Sequence, residues 1–315
     1  MLESDLKLFT VPEKTAAGYG FADIPVKISL DESEVVVYGI PLDATTSFGK
    51  GTSKGPEAIR LTSAQQIETF LLDERADIYD FVKIYDLGDL KLEKNKQNTR
   101  AILAFIDSSV SRVTSLLRQA SKIPVILGGE HTLAYYHLKA LADERPLVIH
   151  FDAHRDMKPQ YEGMQMCHTT PFYHIMEYIK GQDIIQIGIR QTDKEENRIA
   201  EENSVTTFDA WQIHDDISLA SEHLRRITAN RNIYISFDID VYDLPYVPCT
   251  GTPEPFGLNP FQVQSLLKSI DSSAKLVGMD MVEVGLKNGD YREGTLATET
   301  LLRILCREYV SKAKK

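Results

Sequence analysis

The chain has little cysteine and no long hydrophobic run. Its three cysteines, Cys167, Cys249 and Cys306, are odd in number and far apart within 315 residues, which argues against a disulfide framework or a zinc ribbon and favours a reducing cytoplasm. The first twelve residues mix charged with apolar side chains and do not have the pattern of a signal peptide. No apolar stretch is long enough to cross a bilayer. We therefore expect a cytoplasmic protein with no membrane partner.

Clusters of basic residues are also scarce. Asp and Glu outnumber Lys and Arg by 46 to 35, a formal net charge of −11, and Lys312–Lys315 is the one short basic tail. A nucleic-acid partner is not expected, because binding phosphates requires clustered cations. The glycines around Lys50 and Lys54 lack the spacing of a nucleotide-binding P-loop. An acidic surface suits a small cationic ligand instead.

The chain does contain a regular alternation of short Val- and Ile-rich runs with longer segments of helical period. With 43% apolar and 26% charged residues, this pattern predicts a globular α/β protein whose mostly parallel sheet lies between layers of helices. There is no low-complexity linker and no internal repeat, so one three-layer domain over residues 1–315 is the simplest organisation. The pattern predicts eight strands, at 34–40, 81–86, 124–127, 147–151, 183–189, 205–208, 232–240 and 275–284. It predicts helices at 55–72, 98–121, 132–142, 170–179, 194–201, 217–229, 260–272 and 295–312.

Ionisable residues follow three of the predicted strands, where ligands bind in parallel α/β sheets. Gly128-Gly129-Glu130-His131 follows one strand, Asp152-Ala153-His154-Arg155-Asp156 the next, and Asp238-Ile239-Asp240 ends a third. Side chains at every second position of an extended segment share a face, so each cluster can converge on one site. Each motif alone has a simpler explanation, an exposed strand end or a structural histidine. Together they favour a metal site.

These motifs resemble the three metal-binding motifs of the ureohydrolase family, the arginases and agmatinases. The segments 39–43 and 55–60 are similar to the family's N-terminal motif, and 250–255 is similar to its loop after the Asp-x-Asp strand. The resemblance covers residues 36–284 in the expected order. It implies an arginase-like domain with a central eight-stranded sheet, two Mn²⁺ ions, and assembly as a homotrimer or homohexamer.

Carried over by position, the resemblance implies two sets of metal ligands. One metal would be bound by His131, Asp152, Asp156 and Asp238, and the other by Asp152, His154, Asp238 and Asp240. Four carboxylates and two imidazoles make a hard site that suits manganese better than structural zinc or calcium. Two divalent ions balance the −4 charge of the aspartates, and a bridging hydroxide leaves −1, which suits a guanidinium of +1. That hydroxide is expected to attack the guanidinium carbon.

The resemblance also implies roles for residues around the metals. Asp156 would orient the nucleophile, His168 would shuttle a proton to the departing amine, and Glu283 would bind the guanidinium, with Thr252 as an additional contact. Thr169 stands where the family usually has glycine, which puts the His168 role in doubt. The other histidines have no convergent spacing and are assigned no role: His137, His150, His174, His214 and His223.

The identity of the substrate rests on the segment 157–167, where arginases hold the amino-acid end of arginine through polar residues. Methionines replace several of those residues here, so agmatine, cleaved to putrescine and urea, is the predicted substrate. Asp193 could hold its ammonium group. Lys158 could instead hold a carboxylate, which keeps arginine and guanidinobutyrate open.

Two different functions also remain open. One is a metal-binding regulatory protein without turnover, and the presence of all six predicted ligands argues against it. The other is a mononuclear zinc deacylase of the same broad fold, for which loss of histidine ligands is expected, whereas His131 and His154 are both present.

Overall fold

The protein is described by a computed structural model that covers residues 3–23, 28–92 and 98–313. The first two residues and the last two lysines of the basic tail lie outside the described residues. The strands are β1 (Phe9–Thr10), β2 (Val35–Ile40), β3 (Phe70–Leu71), β4 (Ala76–Asp77), β5 (Ile84–Leu90), β6 (Ile123–Gly128), β7 (Leu147–Phe151), β8 (Ile184–Ile189), β9 (Thr206–Asp209), β10 (Asn232–Asp238) and β11 (Lys275–Val282).

One large sheet organises the molecule, with strand order β1-β5-β2-β6-β11-β10-β7-β8-β9. Every neighbouring pair is parallel except β1 and β5, which are antiparallel. The eight predicted strands are all present, each within four residues of its predicted bounds. The prediction missed the two-residue edge strand β1 and the separate β3–β4 hairpin, because runs this short carry no periodicity.

The α-helices are α1 (Glu3–Leu6), α2 (Gly55–Gln65), α3 (Thr99–Gln119), α4 (Leu133–Ala140), α5 (Pro171–His174), α6 (Lys194–Glu202), α7 (Ala210–Asp215), α8 (Ile217–Thr228), α9 (Pro260–Ser269) and α10 (Arg292–Ala313). None of the helices in the described part of the chain is long and apolar enough to cross a membrane.

Two helix predictions need correction, and the short helices α1 and α7 were not predicted. The helix predicted at 55–72 ends at Gln65, because the backbone N–H groups of Gln66 and Ile67 both turn back to the carbonyl of Thr62 and the chain then enters the β3–β4 hairpin. The helix predicted at 170–179 is one short α-helical turn followed by a 3₁₀ turn. The missed helix α7 begins with a capping box between Asp209 and Gln212, too short for its period to be visible.

Both faces of the sheet are covered, which explains why its strands are apolar throughout. In β2, Val35 and Val37 pack in the core on the side of α2, α9 and α10. Val36, Tyr38 and Ile40 pack on the opposite side, against α3 and α4. A parallel sheet between two helical layers buries both sets of alternating side chains. Polar side chains are therefore left to the strand ends, where the motifs lie.

A buried ion-pair cluster ties α2 to the sheet. The guanidinium of Arg60 has no solvent exposure, and its Nε and Nη2 donate to the two carboxylate oxygens of Asp86 at 2.8 and 3.0 Å. Its Nη1 donates to Asp89 at 2.5 Å. Asp86 also accepts the backbone N–H of Phe21 at 2.7 Å. This arrangement fixes helix α2, which follows the loop at 43–51.

Replacing Arg60 with Met is expected to lower the free energy of unfolding by about 3–5 kcal/mol, because it leaves Asp86 and Asp89 without their buried cation. Urea denaturation followed by circular dichroism measures the change. The control is Arg198→Met, which removes an exposed pair with Glu202 on α6 and should have little effect. A loss below about 1 kcal/mol for the Arg60 variant would contradict this account.

Candidate metal centre and active site

Four neighbouring strands deliver the predicted site residues to one edge of the sheet. These strands are β6, β11, β10 and β7, in their order across the sheet. His131 follows β6, Glu283 follows β11 and Asp152 follows β7. Asp238 is the last residue of β10, and Asp240 lies two residues later. Each of these side chains is buried. The loops after β6, β10 and β7 become neighbours in space, although β8 and β9 separate β7 from β10 along the chain.

His131 lies among three aspartates. Its Nδ1 atom is 3.0 Å from Asp152 Oδ2, 3.1 Å from Asp156 Oδ2 and 3.2 Å from Asp238 Oδ2. No hydrogen bond of acceptable geometry reaches this buried nitrogen. The donor atoms of one predicted metal site therefore surround a single point.

A second group lies on the other side of Asp152. His154 Nδ1 is 3.1 Å from Asp240 Oδ2 and 3.5 Å from Asp152 Oδ1. Asp152 thus turns one oxygen toward each histidine, the position of a bridging ligand. The hydroxyl of Thr252 donates to Asp240 at 3.4 Å, so the structure places Thr252 against a carboxylate of the cluster.

Burial and the crowding of carboxylates shift the pKa values within the cluster. Burial, together with repulsion from Asp152, raises the pKa of Asp156 to about 7. Burial and the neighbouring Asp240 raise the pKa of Asp238 well above its usual range. Burial acts to lower the pKa of His131, but its three aspartate neighbours raise it well above the usual value. Excess negative charge is held at this point, and the donor set of carboxylates and imidazoles fits divalent metal ions.

Hydrogen bonds behind His131 fix its tautomer. The hydroxyl of Ser236 donates to the buried carboxylate of Asp280 at 2.9 Å, so its oxygen accepts from His131 Nε2–H at 3.0 Å. Tyr234 also donates to Asp280, at 2.5 Å. Because one proton is kept on Nε2, the Nδ1 lone pair would become available to a metal ion once one displaces the Nδ1 proton. A carboxylate that orients a ligating histidine is a common feature of metal sites.

His150, to which the sequence analysis assigned no role, contacts the cluster directly. Its Nε2 is 2.7 Å from Asp152 Oδ2, and its Nδ1 accepts from the amide of Gln186 at 3.2 Å. Burial lowers the pKa of His150 to about 4, so the ring is neutral and donates its Nε2 proton to Asp152. Gln186 is held in turn by Arg155, whose Nη1 donates to its side-chain oxygen at 2.7 Å. The sequence contained one indication of this contact, because side chains two residues apart on a strand, such as His150 and Asp152, share a face.

Glu130, a residue of the Gly128–His131 motif with no predicted function, anchors the loop at 43–51. Its buried carboxylate accepts the backbone N–H groups of Ala44 and Thr45 at 2.9 and 2.7 Å. Two residues later, Ser47 donates its backbone N–H to His168 Nε2 at 2.9 Å. His168 is therefore positioned from two sides, by its own segment and by this loop.

Glu283 and Asp156 occupy left-handed backbone, at φ of 58° and 52°. Such a conformation costs a non-glycine residue about 1 kcal/mol or more. The Glu283 carboxylate accepts the backbone N–H of His131 at 2.8 Å and lies 4.0 Å from His168 Nδ1. Burial raises the pKa of Glu283 well above its usual range, which favours the neutral carboxyl unless a cation lies beside it. Backbone strain at both carboxylates coincides with the site.

Thr169 produces none of the backbone strain that replacing a glycine can cause. Its φ is not positive, so its Cβ is tolerated. Its carbonyl accepts the backbone N–H of Lys158 at 3.1 Å, and its hydroxyl lies 3.3 Å from Cys167 Sγ. The segment that carries His168 is therefore regular despite the departure from the family pattern.

A cavity of about 180 Å³ opens onto the cluster. It is lined by Ser47, His154, Asp156, Lys158, Tyr161, His168, Thr169, Asp238, Thr252 and Glu283. The methionines of 157–167 do not occur in this lining, and Met157 is fully buried in the core instead. Asp193 is also outside the lining. It caps the start of α6, and its carboxylate binds Lys158.

Comparisons with known proteins agree with this geometry. The family model described as the arginase family matches residues 33–306. The chain is 34% identical to an agmatinase of Bacillus cereus over 81% of its own length and 85% of that protein. It is 32% identical to the N(1)-aminopropylagmatine ureohydrolase of Thermus thermophilus, over 89% and 90% of the two chains. The crystal structure of agmatine ureohydrolase of Thermoplasma volcanium superposes with a TM-score of 0.80 at 27% identity, over 97% of each chain.

Replacing His150 with Leu is expected to weaken divalent metal binding about 10- to 100-fold, because Asp152 loses the donor that orients it. His150→Gln, whose amide nitrogen can take the place of Nε2, should retain most of the affinity. Competition with a chromophoric chelator measures both. Equal metal affinity in the Leu variant and the unaltered protein would refute this role. The melting temperatures of the metal-depleted proteins show whether a loss of affinity results from unfolding alone.

Proposed function

The chain belongs to the arginase family and is a ureohydrolase, and on this premise we propose that it cleaves agmatine to putrescine and urea with two Mn²⁺ ions per subunit. The observation that supports the proposal best is the cluster of four buried aspartates and two histidines, of which His154, Asp156 and Asp238 line a cavity that also contains Glu283. We further propose that residues 1–315 form one ureohydrolase domain that assembles as a homotrimer or homohexamer.

The proposed metal ligands are those that the family resemblance implies, and the distances within the cluster support them. His131, Asp152, Asp156 and Asp238 would hold one ion, since their donor atoms meet at His131 Nδ1. Asp152, His154, Asp238 and Asp240 would hold the other; of these, Asp152 and Asp240 lie 3.5 and 3.1 Å from His154 Nδ1. When bound, two divalent ions would supply a hydroxide nucleophile at neutral pH and stabilise negative charge that develops during its attack. Asp156, itself a member of the first group, would also orient the nucleophile.

Glu283 is the proposed partner of the guanidinium. The guanidinium offers a planar fork of N–H donors, and a carboxylate binds such a fork through two parallel hydrogen bonds. A bound cation would favour the ionised form of Glu283, whose pKa burial otherwise raises well above the usual range. Gly251 leaves this carboxylate accessible, since a Cβ at that position would lie 3.1 Å from Glu283 Oε2. Thr252 acts here by hydrogen bonding to Asp240.

His168 is the proposed proton shuttle. Burial lowers its pKa to about 4, so the ring is neutral at pH 7. Because Nε2 accepts the backbone N–H of Ser47, the ring proton is on Nδ1, which faces Glu283 at 4.0 Å. The hydroxyl of Ser47 lies 2.9 Å from Nε2. A proton from solvent, relayed by the Ser47 hydroxyl, can enter at Nε2 as the Nδ1 proton passes to the departing amine, so the ring need not become an anion.

Agmatine is the preferred substrate in this proposal, because the cavity offers few donors for a carboxylate. Of its lining residues beyond the cluster, Lys158 is the one cation, and it is already bound by Asp193 and Glu196. Arginine would lose hydration at its carboxylate without a comparable replacement.

The test is urea release from agmatine, L-arginine and 4-guanidinobutanoate by protein loaded with Mn²⁺. The ratio kcat/KM is expected to favour agmatine by about tenfold to a hundredfold, the effect of one carboxylate that lacks adequate partners. Elemental analysis should find two manganese ions per subunit. A ratio in favour of either acid would refute the substrate assignment, and full activity with no transition metal would refute the metal assignment.

Replacing His168 with Asn is expected to lower turnover by about 10² to 10⁴ while the metal content stays the same, as for the loss of a general acid. The matched control is His214→Asn, because His214 binds the carbonyl of Gly257 in another part of the protein. Stopped assays of urea release give kcat for both. Unchanged turnover in the His168 variant would exclude its role as a shuttle.

A further inference from the structure

A glutamate outside the cavity lining holds two segments of the cavity wall together. Glu293 lies in the first turn of α10, and its side chain is fully buried. Its Oε1 accepts the backbone N–H groups of Cys249 and Thr250, the second at 2.8 Å. Its Oε2 accepts the backbone N–H of Gly285 at 2.7 Å. One carboxyl group therefore joins the segments that follow the neighbouring strands β10 and β11.

Both contacts bear on the side chain that is proposed to hold the guanidinium. Glu283 has left-handed backbone, and its own N–H donates to the carbonyl of Gly129 at 2.9 Å. Two residues later, the N–H of Gly285 donates to Glu293, so the strained residue is held on both sides. Gly251 lies against the carboxylate, since a Cβ there would be 3.1 Å from Glu283 Oε2. Strained backbone persists only where its surroundings hold it.

The first turn of α10 is a rigid support for Glu293. Helix α10 packs directly against α2, and a Cβ on Gly294 would lie 2.7 Å from the carbonyl oxygen of Ala58. Further along α10, the hydroxyl of Thr298 donates to the carbonyl of Ile59 at 3.2 Å. The position of the Glu293 carboxyl is therefore set by the packing of two helices, and the two segments adjust to it.

The contacts of Glu293 suit a carboxylate better than a neutral side chain of the same shape. Burial raises the pKa of Glu293 to about 7, while the three backbone N–H groups act to lower it. All three partners are donors, so both oxygens have to accept, as they do in the ionised group. An amide would turn its NH2 group toward at least one of these donors and leave a buried N–H without an acceptor.

We propose that Glu293 is a positioning residue for the guanidinium end of the substrate and that it acts through Glu283. The inference rests on the proposed function, because it takes Glu283 as the partner of the guanidinium. Glu293 is not part of the cavity lining, so it contributes without contacting the substrate. It keeps both oxygens of Glu283 where a planar fork of N–H donors can meet them.

The variant Glu293→Gln tests the proposal with the smallest change of shape. The ratio kcat/KM for agmatine is expected to fall about tenfold to a hundredfold, the effect of one buried donor left without an acceptor. The loss should appear mainly as a higher KM, because Glu283 would hold the guanidinium equally in the ground state and the transition state. Glu293→Met offers no acceptor and should have a larger effect. The manganese content should stay the same.

Inhibition by guanidinium chloride at millimolar concentration separates binding of the guanidinium from binding of the rest of the substrate. Its inhibition constant should rise by the same factor as KM. The matched control is Glu299→Gln, which removes an equal charge from a partly exposed position on the same helix, 3.5 Å from Arg303. This control should leave both constants unchanged.

Hydrogen exchange measured by mass spectrometry tests the positions of the two segments without relying on activity. Peptides that contain 249–252 and 283–286 should exchange at least about tenfold faster in Glu293→Gln than in the unaltered protein. Peptides from the central strands β2 and β6 should keep their protection, which distinguishes local opening from unfolding.

The outcomes separate this inference from the proposed function. An unaltered KM in Glu293→Gln, or a loss confined to kcat, would overturn the inference. Unchanged exchange in the two segments, or an equal effect of Glu299→Gln, would overturn it as well. If the unaltered protein does not cleave agmatine, the proposed function is wrong, and the exchange rates still decide whether Glu293 holds the two segments.

Discussion

Mutual repulsion among four buried aspartates is the constraint on which the rest of this structure depends. Asp152, Asp156, Asp238 and Asp240 are brought together at the carboxyl ends of two adjacent strands with almost no access to solvent. Such a cluster is costly unless cations neutralise it. Burial and then the neighbouring carboxylates raise the pKa of Asp156 and of Asp238, and the buried Nδ1 of His131 lies among these oxygens without a hydrogen bond of acceptable geometry.

The residues behind the cluster orient its donors. Asp280 acts through Ser236 to keep the proton of His131 on Nε2, and Arg155 acts through Gln186 to keep a proton of His150 directed at Asp152. Each path is a buried chain of hydrogen bonds whose members satisfy one another, which makes it rigid. Rigid orientation matters in a hydrolase of this kind, because ligands must already be placed when the metal and the substrate arrive.

The chemistry of the cavity divides between its floor and its wall. In the proposed function, the floor consists of the metal-binding cluster and Glu283, which would treat every guanidino compound alike. Discrimination would then come from the wall, whose lining includes Lys158. The significance of Lys158 depends on its partners, since an ammonium group shared between two carboxylates no longer acts as a site for an anion.

The sequence by itself was sufficient to predict the sheet and the principal donors. Apolar runs that alternate with helical periods identified eight parallel strands, because burial on both faces demands apolar residues throughout. Ionisable residues at the ends of three of those runs indicated that His131, Asp152 and Asp238 lie at the same edge of the sheet. Only the tertiary structure decided which strands are neighbours, since strand order depends on packing across the whole chain. It also determined the pairing of Lys158 with Asp193 and Glu196 and the contact of His150 with Asp152, because hydrogen bonds depend on distance and direction in space, which residue spacing along the chain does not specify.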